Sequence, residues 1–244
     1  MDQTPIQLAI ERVYNVFAVY PCPVKLDASW AKDPVATIRK LTSAPLRDLE
    51  ADQLGTFAGA ALYTMGGVAE YKHFLPRILE LATSGFSGWM GFDPSIIALH
   101  LVYGRWREWS VVEVETIIAV FRDGWIDARD RNPDSECDAP DWLCGLAILE
   151  EPISDLLADW LLAPTVNAVL QAASFVSLAQ SWLFGPREDG AYWSHVDDAR
   201  RLEVASWMRS DTVFEALALA RELVADDDLR SVDRALTILR EMRD

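Results

Sequence analysis

The side chains whose spacing best suits chemistry lie between residues 73 and 80. On a helix, His73, Arg77 and Glu80 fall at positions i, i+4 and i+7 and therefore share one side. An imidazole, a guanidinium and a carboxylate on one face can move protons and hold a charged ligand. With Thr64, which precedes them across a Gly-Gly turn, they form a candidate polar pocket. The alternative is a solvated helix face with one Arg77–Glu80 ion pair.

Tryptophan is the second unusual feature, since the chain has ten tryptophans against six tyrosines and nine phenylalanines. Rings of this size fill gaps where helices meet, which predicts a role in the core. Tryptophan is also enriched where proteins bind each other, so a partner surface is the alternative. The pair Trp106 and Trp109, in the polar stretch YGRWREWS, is the best candidate for such a surface.

Complete catalytic motifs are absent from the sequence. The three histidines, His73, His100 and His195, are far apart and none has a second ligand at metal-binding spacing. The nucleophile-elbow, phosphate-loop and dinucleotide-binding patterns do not occur. The sequence therefore indicates no cofactor and no catalytic residue.

One acidic loop has the spacing of a calcium site. Positions 1, 3, 5, 7, 9 and 12 of the loop are Asp130, Asn132, Asp134, Glu136, Asp138 and Asp141. Calcium loops of this kind place glycine at position 6 and a bidentate glutamate at position 12. Here Ser135 and Asp141 stand at those positions, and Pro133 is at position 4. A solvated acidic linker over 130–141 is the preferred interpretation.

The elements that position these residues are predicted to be helices. Thr4-Pro5 is a capping residue before a proline, and Asp93-Pro94 repeats that pattern. Ser110 and Glu113 match a capping box. No alternating strand pattern of comparable strength occurs. We expect helices from Thr4 to before Pro21, then near 52–65, 75–83, 94–104, 110–129, 140–149, 152–162, 164–184, 191–209, 211–225 and 228–243, with an irregular or short-helical connection over 21–47.

The predicted fold class is therefore all-α, built of consecutive antiparallel helix pairs. A helical bundle and an irregular HEAT-like array both fit such a series, although no motif recurs at a fixed period. We expect one domain over residues 1–244.

The stretch TMGGVAEYKHFLPRILEL, residues 64–81, carries a family resemblance. It resembles a group of uncharacterised bacterial all-α proteins that share a pattern of the form "TxG...hFLPRilEl" after an early helix. The likeness is specific over about thirty residues and otherwise compositional. The resemblance implies a bacterial cytosolic origin and a helical fold, and it implies no activity.

Charge limits the function classes. The formal net charge is −16, and residues 111–160 alone hold thirteen acidic and three basic side chains. Such a surface repels phosphate backbones, which argues against nucleic-acid binding, and suits a basic partner. Acidic charge that only maintains solubility is the alternative. No run long and apolar enough to span a bilayer and no signal peptide occur, so we expect a cytoplasmic protein.

Two functions remain open at this point. The favoured one is a protein-interaction module that binds a basic protein or peptide, with an inhibitor of a basic toxin as a special case. The rival is an enzyme or small-molecule binder whose pocket contains His73, Arg77, Glu80 and Thr64.

Overall fold

The chain folds entirely into helices and connections in its described parts. The computed structural model describes residues 3–29, 33–85, 91–135, 138–162, 164–183, 191–225 and 228–243. Within these ranges the backbone forms twelve α-helices and no strand beyond two isolated bridges. The predicted all-α class is confirmed.

The helices have these bounds: α1 Pro5–Phe17, α2 Pro34–Leu41, α3 Ala51–Ala60, α4 Val68–Thr83, α5 Pro94–Tyr103, α6 Val111–Arg129, α7 Ala139–Ile148, α8 Ser154–Trp160, α9 Val166–Leu183, α10 Asp198–Arg209, α11 Asp211–Ala220 and α12 Leu229–Glu241. Short 3₁₀ turns occur at Leu46–Asp48, Trp106–Glu108, Pro133–Ser135, Ala191–His195 and Arg221–Leu223.

The chain divides into two units, Met1–Gly124 and Trp125–Asp244, whose boundary falls within α6. In the first unit α1 packs along α4, and α2 packs on α3. In the second unit α12 packs along α9. Each unit therefore consists of helices packed on helices. The HEAT-like alternative and the expectation of a single domain stay predictions.

The predicted helix starts agree with the observed caps. Thr4 and Gln7 form a capping box at α1, in which the Thr4 nitrogen donates to Gln7 Oε1 at 2.9 Å. The Asp93 carboxylate accepts from the Ser95 nitrogen at 2.7 Å at the start of α5. Ser110 donates its nitrogen and its hydroxyl to Glu113 Oε2, both at 2.9 Å, before α6. These local signals are confirmed.

The boundary between α3 and α4 differs from the prediction. The helix expected to reach residue 65 ends at Ala60, where Leu62 adopts a left-handed conformation with φ 65°. The next helix begins at Val68, well before the expected residue 75, because the Glu70 carboxylate caps the Gly67 nitrogen at 2.9 Å. Pro76 consequently lies inside α4 and is buried. Burial of this helix face offsets the usual cost of an internal proline, about 3 kcal/mol.

Tryptophan rings fill the core of the second unit. Trp160 meets the edge of Trp125 at 5.6 Å between ring centroids and stacks on Phe175 at 5.4 Å. Its other stacking partner is Trp207 at 5.5 Å, and its indole nitrogen donates to the Ala168 carbonyl at 3.1 Å. Trp142 and Trp193 are also buried. The predicted core role is confirmed for these rings, while Trp30, Trp89 and the Trp182 side chain lie outside the described residues.

Candidate functional site

His73, Arg77 and Glu80 share one side of α4, as their spacing predicts, and each is hydrogen-bonded within the protein. His73 Nδ1 donates to the Tyr20 carbonyl at 2.8 Å. Arg77 Nε donates to the Leu49 carbonyl at 2.8 Å, and its Nη1 reaches Glu80 Oε2 at 2.6 Å. The predicted Arg77–Glu80 pair is confirmed. All three side chains thus have partners within the protein.

Glu80 also joins α4 to α1. Tyr14 donates its hydroxyl to Glu80 Oε2 at 2.6 Å, and burial together with this hydrogen bond raises the pKa of Tyr14. The Arg47 guanidinium lies over the Tyr14 ring, 3.7 Å from its centroid, and forms two hydrogen bonds with Glu11. These contacts hold α1 and α4 together.

Thr64 lies apart from this group in the observed hydrogen bonding. Its carbonyl accepts from the Ser29 nitrogen at 2.9 Å, and its hydroxyl donates to the Ala60 carbonyl at 3.4 Å. No hydrogen bond or ion pair of the described residues joins Thr64 to His73, Arg77 or Glu80. The turn that contains Thr64 therefore anchors the segment at Ser29, a role that the sequence did not reveal.

The prediction that Trp106 and Trp109 form an exposed surface is wrong for Trp106. Trp106 is only 2% exposed and belongs to the core. Trp109 is half-buried, donates its indole nitrogen to the Gly104 carbonyl at 3.0 Å and meets the Phe17 ring edge-on at 6.3 Å. The polar residues between the two rings point outward on a 3₁₀ turn, so the turn places Trp106 inward. Trp106 therefore offers no partner surface.

A buried charge network that the sequence did not predict lies against the Trp109 ring. Lys72 Nζ is 2.9 Å from both Glu113 Oε1 and the Tyr20 hydroxyl, which itself donates to Glu113 Oε1 at 2.6 Å. The ammonium also faces the Trp109 ring at 4.1 Å. The side chains of Lys72 and Glu113 are 9% and 6% exposed. Lys72 lies on the buried side of α4. An ionisable side chain at a core position of the helix was the sequence signal for this network.

The network fixes the charge state of Glu113. Burial raises the pKa of this carboxyl, but hydrogen bonds from Tyr20, Lys72 and Ser110 outweigh burial, so the net shift is downward. The pKa of Tyr20 is raised, chiefly by burial and then by its bond to Glu113. Glu113 thus stays ionised, and every charged atom here is matched. Such an arrangement suits a structural role for the network.

An open groove between α1 and α6 has a volume of about 310 Å³. Its lining residues are Pro5, Leu8, Ala9, Arg12, Ala119 and Asp123. Leu8 is 54% exposed, although the buried face of α1 passes through Ile6, Ala9 and Ile10. A leucine off the apolar face of an amphipathic helix was the sequence signal for this site.

One charged side chain lines the groove on each helix, Arg12 on α1 and Asp123 on α6. Arg12 pairs with Glu115 at 3.8 Å, and both side chains are more than half exposed. Asp123 lies eight residues further along α6, about 12 Å at the helical rise. Burial raises the pKa of Asp123, and the neighbouring Arg122 offsets that only in part. In the described ranges the Asp123 carboxylate receives no hydrogen bond and joins no ion pair.

The acidic loop shows no calcium geometry where it is described. Asp130 pairs with Arg129 at 2.8 Å and accepts a hydrogen bond from the Thr165 hydroxyl at 3.0 Å. No group of three or more His, Cys, Asp or Glu side chains in the described residues is placed to hold a metal ion. Glu136 and the Asp134 side chain lie outside those residues. The preferred interpretation of a solvated acidic linker over 130–141 stays a prediction.

Comparison with protein-family models, curated proteins and solved structures found no match for this chain. The family resemblance of residues 64–81 therefore stays a prediction. None of the described helices combines the length and the apolarity needed to cross a membrane. What the fold and the site define is an all-α protein with an apolar groove bounded by charge.

Proposed function

We propose that this protein is an interaction module that binds a basic segment of a partner protein in the groove between α1 and α6. One observation carries the proposal: an apolar groove with an exposed leucine, Leu8, is also lined by Asp123, whose carboxylate has no hydrogen bond or ion pair among the described residues. Its volume of about 310 Å³ is near the lower limit for pockets that hold a ligand of drug size. A few side chains of a peptide would fill it.

The charge of the whole chain supports a basic partner. With a net charge of −16, the protein attracts cations and repels nucleic acid and other acidic surfaces. Complementary charge mainly speeds association and selects the partner, while buried apolar contact supplies most of the affinity. The groove offers the apolar contact, and the net negative charge of the chain supplies the electrostatic attraction. A cytoplasmic location, with a basic toxin as one special case of the partner, remains part of this proposal.

The rival function, an enzyme or small-molecule site around His73, Arg77 and Glu80, has less support. Each of these side chains is bonded within the protein: His73 to Tyr20, Arg77 to Leu49, and Glu80 to Tyr14. A ligand would have to break those bonds before it could use the groups. No observation on the described residues favours that exchange.

Selection from a phage-displayed library of random peptides tests the proposal. The full chain is the bait, and the buffer has low salt so that charge attraction is weakly screened. We expect enriched peptides that combine lysine or arginine with apolar residues. Their binding should weaken about tenfold in Leu8→Lys, which adds a cation to the groove and removes its largest apolar contact.

Leu202→Lys is the matched control, because Leu202 is another exposed leucine on a helix, at 64% exposure on α10. Binding to this variant should equal that of the unaltered protein. A library that yields no enriched peptides would overturn the proposal. So would enriched peptides that bind Leu8→Lys as tightly as Leu202→Lys.

A further inference from the structure

Asp123 is a groove carboxylate that has no hydrogen bond or ion pair in the described part of the chain. Every other charged group at the groove has a partner, since Arg12 lies beside Glu115 at 3.8 Å. Asp123 is half-buried, stands on the α6 side of the groove and accepts no hydrogen bond among the described residues. Its nearest charge along the chain, Arg122, lowers the pKa of this carboxyl, but burial raises it by more. A carboxylate held this way gains most from a cation that approaches through the groove.

Apart from Arg12 and Asp123, the groove is lined by apolar side chains. Leu8 and Ala9 line the α1 side, and Ala119 lies one helical turn before Asp123 on the α6 side. Lysine and arginine pair a long methylene stem with a charged end, and such side chains bury the stem against apolar surface. The groove places apolar lining next to a carboxylate, which matches the methylene stem and the charged end of such a side chain.

We propose that Asp123 receives the charged end of a lysine or arginine side chain of the partner, whose stem packs on Leu8, Ala9 and Ala119. This inference rests on the proposed function and names the group that the groove selects. An acidic side chain is disfavoured because it would meet Asp123 and Glu115, and Arg12 is already paired with the latter. A purely apolar side chain would cover the apolar lining and leave the carboxylate without a partner.

The hexylammonium ion is the probe, because it copies the stem and the charge of lysine without any partner protein. 1-Hexanol is its uncharged match, with the same alkyl chain. Both are titrated into the full, isotope-labelled chain while backbone amide resonances of α1 and α6 are followed by NMR. We expect hexylammonium to shift the amides of the groove residues and to bind about tenfold more tightly than hexanol.

Two substitutions isolate the carboxylate. Asp123→Asn keeps the size of the side chain and removes its charge, so the preference for hexylammonium over hexanol should disappear. Asp123→Glu keeps the charge and should retain a preference. Both variants should fold, because Asp123 makes no hydrogen bond or ion pair with the described residues that the substitution would break. Amide spectra that match the unaltered protein outside the groove would verify this.

The outcomes separate the inference from the proposed function. Equal affinity for hexanol and hexylammonium, or a preference that survives in Asp123→Asn, would overturn the inference. Library peptides that still bind at Leu8 would then leave the proposed function standing. Shifts confined to residues outside the groove would also overturn the inference, since the ion would be meeting only the general acidic field. If neither the probes nor the peptides reach the groove, both proposals fall.

Discussion

Lys72 and Glu113 show how one residue pair can fix the geometry of a unit. Two charges removed from water are costly unless each is paired and hydrogen-bonded. Here Glu113 accepts from Lys72 and Tyr20 on one oxygen and from Ser110 on the other. Because Tyr20 and Lys72 lie far from Glu113 in sequence, the pair ties the connection after α1 to α4 and α6. Removal of either charge leaves the other buried without its partner.

We therefore predict that Lys72→Met destabilises the protein by about 3 kcal/mol, the usual cost of an uncompensated buried charge. The double variant Lys72→Met/Glu113→Leu should lose less of the free energy of unfolding, because no buried charge remains. Its remaining loss should be about 1 kcal/mol, the cost of the lost α6 cap. Urea unfolding of the single and double variants measures both effects. A double variant less stable than Lys72→Met would contradict the prediction.

His100 is a buried base whose Nδ1 has no hydrogen bond among the described residues. It is 1% exposed, and the hydroxyl of its ring neighbour Tyr71 likewise has no hydrogen bond in that part of the chain. Tyr63 covers the imidazole at 5.0 Å between ring centroids. Burial lowers the pKa of His100 to about 4, against 6.5 for a free histidine. The folded state therefore keeps this ring neutral at pH values where the unfolded chain takes up a proton.

That difference predicts a loss of stability in mild acid. The His100 contribution is complete above pH 6.5 and declines as the pH falls toward 4. By about pH 5 the loss should reach about 2 kcal/mol relative to neutral pH. Urea unfolding of the unaltered protein and of His100→Leu at both pH values measures it, and the difference between the proteins removes contributions of other groups. Identical pH dependence in the two proteins would refute the assignment.

The residue scale also shows where sequence reasoning stops. The spacing of His73, Arg77 and Glu80 correctly predicted a shared helix side and one ion pair. It could not predict that carbonyls of Tyr20 and Leu49 would occupy the donors, because those contacts join distant parts of the chain. Lys72 escaped notice for the same reason: its acid lies forty-one positions away.

At the scale of elements, local signals and tertiary contacts contributed differently. Caps such as Thr4 and Ser110 act within one helical turn, so the sequence placed these helix starts correctly. The end of α3 depends on backbone bonds with a distant segment: the Gly66 nitrogen donates to the Asp27 carbonyl at 2.7 Å, and Ala28 bridges Met65. No pattern within residues 52–65 encodes those bonds.

Two glycines give a matched test of the packing around α3. Gly91 has φ 101°, and an added Cβ would lie 2.5 Å from the Gly59 nitrogen and 2.8 Å from the Ala58 Cβ. Gly91→Ala should therefore cost at least about 2 kcal/mol. Gly55 lies within α3, where an added Cβ meets only the Phe92 ring at 3.7 Å. Gly55→Ala should stabilise the protein by about 0.5–1 kcal/mol.

Thermal unfolding of both glycine variants under one condition provides the measurement. The midpoint should fall for Gly91→Ala and rise slightly for Gly55→Ala. Equal shifts of the same sign would mean that the close approach of Gly91 to α3 does not constrain the backbone.

At the scale of the whole molecule, the excess of acidic groups has two consequences of opposite sign. Like charges repel one another in the folded state, which lowers stability at low ionic strength. The same charges attract a basic partner, which strengthens binding under the same condition. Salt screens both interactions over roughly 10 Å at 0.1 M. It should therefore stabilise the fold and weaken the complex.

We predict that raising sodium chloride from about 0.02 to about 0.5 M near neutral pH increases the unfolding midpoint by about 2–4 °C. Self-repulsion at a net charge of −16 supplies the physical reason. The control is the same salt change near pH 4.5, the isoelectric point, where no net charge remains to be screened and the increase should vanish. Scanning calorimetry measures both midpoints. An equal increase at the two pH values would show that salt acts through apolar burial rather than charge, and a decrease near neutral pH would show that specific ion pairs outweigh the net repulsion.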